Sequence, residues 1–249
     1  MAMQTVLSAV TCPLLIGRDD LLELADRRLD DAAAGRAQFL LLAGEAGIGK
    51  TRLLGAIRRK AEGRGFVSVT GSLAPQDRDV PAASVLDLAR TMVRIPPFSD
   101  LGRQLLELSY TAMADEHAQR RRLVMEIVEQ ILDAISGPTM LSFEDLQWAD
   151  DLSLEIIGEL ARQGRDRTLL LTGDYRTDDV APGAGLRDWR SRLITQRMAE
   201  EVRLAPLTEP ETALVTTLIL DTGLPAPRDV AAAVFERTDG IPLHIEELL

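Results

Sequence analysis

Residues 44–51 read Gly-Glu-Ala-Gly-Ile-Gly-Lys-Thr, the spacing G-x-x-x-x-G-K-[ST]. Each part of that spacing has a physical use. The glycines let the backbone curl so that the N–H groups of Glu45, Ala46, Gly47, Ile48 and Gly49 point into one concavity, a nest for phosphate oxygens. A helix beginning at Lys50 adds the positive end of its dipole. Lys50 would reach the β- and γ-phosphates of a nucleotide, and the Thr51 hydroxyl would ligate Mg²⁺. Such a loop needs acids from another strand, and "TMLSFEDLQWADD" supplies Glu144 and Asp145 just where a β-type run ends. Open α/β sheets put ligand chemistry at that end of their strands. Glu144 would hold Mg²⁺, directly or through water, while Asp145 would orient or deprotonate an attacking water. A further strand end, "LLLTGDYRTDD", delivers Arg176, whose guanidinium could neutralise the γ-phosphate and report on its presence. The competing reading of Arg176 is a surface salt bridge with Asp174 or Asp178. Asp150, Asp151 and Ser153 read as caps of the next helix, and Trp148 as a packing anchor.

The elements that must position these groups follow from periodicity. Apolar β-type runs lie near 39–43, 66–70, 139–143, 168–172 and 201–205. Helical stretches lie at 18–34, 50–62, 82–93, 115–135, 152–163 and 186–198. This alternation predicts an α/β fold with a parallel five-stranded core sheet flanked by helices. After Pro206 the pattern is helical only. Thr208 reads as an N-cap with Gly223 as the stop, Pro227 opens a second helix that ends before Gly240, and "IPLHIEELL" begins a third. The organisation expected is an N-terminal extension (1–13), a nucleotide-binding domain (14–206) and a small helical lid (207–249). That lid is expected to be truncated, because the chain stops inside a helix. Segments 71–81 and 181–185 read as surface loops.

Composition narrows the function classes. A net charge of −11 argues against a broad nucleic-acid face, and Arg120, Arg121 and Arg122 read as a solvated helix face. No apolar run approaches the roughly 18 residues of a membrane helix. One cysteine, Cys12, excludes an internal disulfide framework, and with two histidines (His117, His244) it argues against structural zinc. The expected setting is the cytoplasm, with no membrane partner and no direct nucleic-acid contact.

Taken together, these blocks resemble the STAND class of signal-transduction ATPases, within the AAA-like P-loop superfamily. The resemblance is strongest to the nucleotide-binding domain of large LuxR-type transcriptional regulators and of ATPase modules attached to some bacterial nucleotide cyclases. It runs from about Leu15 to Leu249. "LLIGRDDLLELADRRL" resembles the block that lies over the adenine, which implies base contacts for Gly17 and Arg18. "LLLAGEAGIGKTRLL" is similar to the Walker A block and carries Arg52 into the binding set. "LSFEDLQWADDLSLEII" resembles the acid-acid-Leu-His-Trp-Ala-Asp stretch, and "LLTGDYRTDD" the strand ending in a γ-phosphate-sensing arginine. "DGIPLHIEELL" resembles the Gly-x-Pro block, which implies that Pro242 packs on the adenine and couples the lid to it.

The chain departs from that pattern in three places. Gln147 replaces a histidine, Ser142 interrupts an apolar strand, and the first acid is Glu rather than Asp, so slow hydrolysis is expected. The resemblance implies an ATP/ADP-binding regulatory switch, a weak ATPase with Mg²⁺, inside a larger protein. It further implies an inducer, an output domain that could bind DNA, and self-association that depends on nucleotide. Two alternatives have their own requirements. A ring-forming remodelling ATPase needs an arginine finger from a neighbour, for which Arg190 and Arg192 are candidates. A small-molecule phosphotransferase needs an acceptor pocket.

Overall fold

A computed structural model describes residues 11–111, 117–178 and 184–249. Five apolar runs form the strands β1 (Gln38–Gly44), β2 (Val67–Ser72), β3 (Thr139–Glu144), β4 (Leu169–Arg176) and β5 (Glu200–Arg203). They make one sheet in the order β2-β3-β4-β1-β5, and every pairing is parallel. Parallel neighbours require long crossovers, and helices supply them.

Successive strand residues face opposite sides of a sheet, so both cores are read off one strand. Phe39, Leu41 and Ala43 of β1, with Leu141, Phe143, Leu169 and Leu171, enter one apolar cluster. Leu42, Met140 and Leu170 enter the other. The helices α1 (Asp19–Ala33) and α2 (Lys50–Gly63) cover the second face with Ala25, Leu29, Leu53, Leu54 and Ile57. The first face is covered by α3 (Ala83–Met92), α4 (Ser99–Thr111), α5 (His117–Ala134), α6 (Asp151–Gln163) and α7 (Ala184–Thr195). Ser142 is not a flaw in its strand. It sits opposite Thr172, whose hydroxyl donates to it at 2.8 Å, so the two buried hydroxyls satisfy each other.

Three sequence expectations change. Strand β4 runs to Arg176 instead of stopping at 172, because β1 pairs with it as far as Gly44↔Arg176. Helix α4 was not expected at all. The loop expected at 71–81 begins inside β2 and contains a 3₁₀ turn, Pro75–Asp79. Parts of other expectations lie outside the described residues: 1–10 of the extension, 115–116 of the helix before β3, and 181–183 of the second loop. The helix cap behaves as read, with the Asp150 carboxylate accepting from the N–H groups of Leu152 at 3.0 Å and Ser153 at 3.3 Å. Arg120 pairs with Glu155 of α6 at 2.9 Å, which uses part of the basic run to join two helices.

Beyond the sheet come α8 (Glu209–Leu220), α9 (Arg228–Thr238) and α10 (Pro242–Leu248). Thr208 and Glu211 form a capping box at the start of α8. A third cluster of Leu207, Val215, Val234 and Ile245 holds these helices together, and Cys12 from the N-terminal segment packs into it. No helix among the described residues is long and apolar enough to cross a membrane.

Candidate functional site

At the end of β1 the chain turns through residues 45–48 into α2. Gly47 (φ 75°) and Gly49 (φ 98°) hold backbone conformations that an L side chain rarely adopts, and Gly49 caps the helix. Lys50 is the first helical residue and is only 7% exposed. Its Nζ donates to Gly44 O and Glu45 O, both at 2.9 Å, so the ammonium is folded onto the rim of the loop. Burial pulls its pKa down, and the Asp174 carboxylate is the strongest influence in the other direction. Glu45 and Thr51 are exposed, Ala46 is half-buried, and Ile48 is buried beneath the loop.

The loop already holds an anion of the protein's own. Both carboxylate oxygens of Asp178 lie 3.2 Å from the Ala46 N, which donates to them. A carboxylate at a nest amide is what a phosphate oxygen would replace, so the cradle fits a phosphorylated ligand. Asp178→Ala removes the competitor and its negative charge. ATP affinity, measured by calorimetry, should then rise by about 3- to 10-fold, with the gain shrinking as salt is raised. Affinity that stays level or falls would show that Asp178 does not contest the phosphate position.

The acids sit two strands away, because β4 lies between β1 and β3. Glu144 ends β3 half-buried; burial raises its pKa, Arg58 of α2 opposes that, and Asp145 adds to it. Asp145 follows in the left-handed region (φ 59°). Its N–H donates to Asp174 Oδ1 at 3.0 Å, and its own Oδ1 accepts from Gln147 Nε2 at 2.6 Å. Arg176 approaches the same carboxylate, Nε to Oδ1, at 3.8 Å. The partner of Arg176 is therefore Asp145 and not Asp174, which is 2% exposed in the sheet. Burial is the main force lifting the Asp174 carboxyl to about 7; the Asp145 N–H and Lys50 oppose it.

The other face of the loop receives the residues that the resemblance assigned to the base. Arg18 is buried, and its guanidinium donates to Gly17 O (3.1 Å), Ile48 O (3.4 Å) and Ala205 O (2.8 Å). It thus clamps the loop to the segment leaving β5. Gly17 (φ 67°) packs against Glu211 of α8. Arg52 donates to Cys12 O, to Leu14 O at 3.2 Å and to Glu246 Oε1 of α10 at 2.9 Å. Together with Pro242, Arg18 and Arg52 line a cavity of ≈ 30 Å³. That is room for little more than a water, so a base enters only if the N-terminal segment or α10 shifts. Helix α10 also reaches the loop itself: Leu243 N–H donates to Gly47 O at 3.2 Å.

Sequence reasoning therefore named most of the groups that converge here: the loop, the two acids and Arg176 on the phosphate side, and Arg18, Arg52 and Pro242 on the other. It named Asp174 and Asp178 only as alternative salt-bridge partners of Arg176, and it passed over Glu246. The readable signal for Asp174 was parity, since it continues the 170, 172 face of an apolar strand and so had to point inward.

Comparison with known proteins agrees with this fold. The family model described as AAA ATPase domain matches residues 14–172. A curated, uncharacterized protein of Rhizobium meliloti (strain 1021) is 26% identical over 263 aligned positions, covering 94% of this chain and 24% of that protein. The chain thus spans about a quarter of the length of that curated relative. Among solved structures, the Aeropyrum pernix ORC1 protein in complex with DNA aligns with a TM-score of 0.59 at 15% identity, over 98% of this chain and 60% of that one. AMPPCP-bound DnaA from Aquifex aeolicus aligns at 0.51 and 16% identity, over 96% and 63%. A Thermotoga maritima RuvB variant aligns at 0.55 and 14% identity, over 94% and 60%. At these identities the likeness establishes the fold: a parallel sheet flanked by helices, of the P-loop NTPase kind.

Proposed function

The chain belongs to the AAA ATPase domain family, and on that premise we propose that it is an ATP/ADP-binding regulatory switch with slow hydrolysis. The observation that carries the reading is the hydrogen bond from Leu243 N–H to Gly47 O. Through it, the lid helix α10 rests on the phosphate loop itself. In this reading residues 14–206 hold the nucleotide and 207–249 respond to it.

Each residue has a role in the proposal. The amides of 45–49 wrap the phosphates, and Lys50 leaves the Gly44 and Glu45 carbonyls to meet the β- and γ-phosphates. Arg176 turns from Asp145 toward the γ-phosphate, which frees the Asp145 carboxylate to orient water or take its proton. Thr51 and Glu144 would hold Mg²⁺, which supplies charge neutralisation of the phosphates. Few protein ligands suffice, because Mg²⁺ keeps waters and phosphate oxygens around it. Gly17, Arg18, Arg52 and Pro242 border the base. The energetic requirement of a switch is differential contact, and the γ-phosphate supplies it by engaging Arg176 and the loop in one state only.

The finer reading is a STAND-class module, of the kind found in LuxR-type transcription regulators, acting in the cytoplasm within a larger signal-transduction protein. An inducer and an output segment that could bind DNA would be its partners, with self-association set by the nucleotide. Amide hydrogen exchange tests the switch. With nucleotide saturation verified by calorimetry, residues 241–249 should exchange at rates differing by at least about fivefold between a non-hydrolysable ATP analogue and ADP. Identical rates in the two states would leave an ATP-binding domain and remove the switch.

A further inference from the structure

Two strands deliver the reacting groups of this site, and nothing in their backbones makes the ends move together. Strands β3 and β4 last pair at Phe143↔Gly173. Beyond that point Asp145 turns away in a left-handed conformation, while β4 continues beside β1 to Arg176. Backbone pairing alone would therefore let the acid and the arginine drift apart, and an acid displaced by about 1 Å can cost on the order of 10²-fold in rate.

Gln147 spans that gap. Its side chain is buried, at 4% exposure, inside the short 3₁₀ turn Leu146–Trp148. Nε2 donates to Asp145 Oδ1 at 2.6 Å, and Oε1 accepts from the Arg176 N–H at 3.1 Å. One planar amide thus uses a donor on the acid and an acceptor on the arginine's backbone. Asp174 braces the same turn from the strand, accepting the Asp145 N–H at 3.0 Å. A buried amide in such a bridge is orientationally determined, since exchanging its oxygen and nitrogen would set donor against donor and acceptor against acceptor.

We propose that Gln147 is a positioning residue for nucleotide hydrolysis, holding the Asp145 carboxylate at a fixed distance from the end of the Arg176 strand. It acts through Asp145. The inference rests on the proposed ATPase reading and deepens it. Histidine, like glutamine, can donate from one nitrogen and accept at a second atom, whereas glutamate or leucine cannot do both.

The test measures phosphate release and, separately, ATP and ADP affinity by calorimetry, on the full chain and on Gln147→Leu, Gln147→Glu and Gln147→His. Leucine removes both bonds. Glutamate keeps the acceptor for Arg176 but sets a like charge beside Asp145. Both are expected to lower kcat by about 10- to 100-fold while Kd for ADP and KM for ATP stay within about threefold. Gln147→His should keep at least about a third of the wild-type kcat. If Gln147→Leu does not fold, the Glu and His variants decide between them. The proposal is overturned if the Leu or Glu variant keeps kcat, if His is no better than Glu, or if affinity falls in step with kcat, which would mark a merely structural role. A wild-type chain that binds ATP but releases no phosphate also overturns it and leaves the binding reading intact. A chain that binds no ATP overturns the function proposed above.

Discussion

Lys50→Ala is expected to abolish measurable ATP binding, with Kd rising by at least about 100-fold. The size of the effect comes from the company the lysine keeps. Its ammonium is nearly buried, held by the carbonyls of Gly44 and Glu45, and faces the carboxylates of Asp174, Asp178 and Asp145. Removing it does more than delete one attraction for phosphate. It leaves Arg176 to offset those acids without the lysine around the place where several phosphate charges must sit, and a low-dielectric site magnifies the repulsion. The fold should tolerate the change, because alanine is a good helix former and a charge costly to bury has been taken away. Thermal unfolding of the apo variant should therefore match or exceed the wild type. Calorimetry that found unchanged ATP affinity in a folded variant would dismiss residues 44–51 as a nucleotide site.

Much of this site was legible because its chemistry is local. The loop from Gly44 to Thr51 is contiguous, and a glycine-rich turn between an apolar strand and a helix has few other physical meanings. Asp150 could be read as a cap for the same reason. What escaped was tertiary. Gly173 and Asp174 are poor strand formers, so periodicity ended β4 at 172, yet pairing with β3 as far as Gly173 and with β1 as far as Arg176 overrides that preference. Helix α4 hides behind Pro96 and Pro97 and carries Gly102, which lowers its helical signal. That glycine is there for contact: a Cβ would meet Ala89 O and Val93 N at 2.7 Å, so α3 and α4 approach backbone to backbone. The ties from Arg52 to Glu246 and from Ala46 to Asp178 join residues 194 and 132 positions apart, and no window of sequence contains both ends.

Neither half of the proposed binding set is idle. Around the loop, Lys50 holds the Gly44 and Glu45 carbonyls, the Ala46 N–H holds Asp178, and Arg176 lies against Asp145. On the base side Arg18 and Arg52 already spend their guanidinium donors on backbone carbonyls and Glu246. Ligand entry there must exchange existing bonds for new ones, and the bonds at stake are those that hold α10 and the segment from Cys12 to Leu14 against the loop. A site built this way would tie base binding to the position of α10, and phosphate binding to the release of Asp178 and of the Lys50 carbonyl bonds.

Gly240→Ala is expected to destabilise the packing of helices α8–α10 by about 3–4 kcal/mol, the largest stability effect of any single methyl in this part of the chain. Gly240 has φ 72°, and a Cβ there would stand 2.0 Å from Leu207 O and 3.1 Å from Leu207 N. Those are backbone atoms, which no rotamer change can clear. They are also fixed from the other side, since Leu207 N–H donates to Gly240 O at 2.8 Å. Gly223 provides the control, because it has the same φ of 72° and nothing within 4 Å of its Cβ position. Gly223→Ala should therefore carry only the conformational cost, about 1 kcal/mol. The small cluster of Cys12, Leu207, Val215, Val234 and Ile245 cannot absorb a displaced Leu207, so the Gly240 variant should loosen α9 and α10 before the sheet unfolds. Urea unfolding followed by amide exchange would show protection lost first in 228–249, with 38–44 and 169–176 unaffected. Equal destabilisation by the two substitutions would mean that the turn before Pro242 is not pinned to the strand exit, and α10 would then have no rigid anchor from which to press on the phosphate loop.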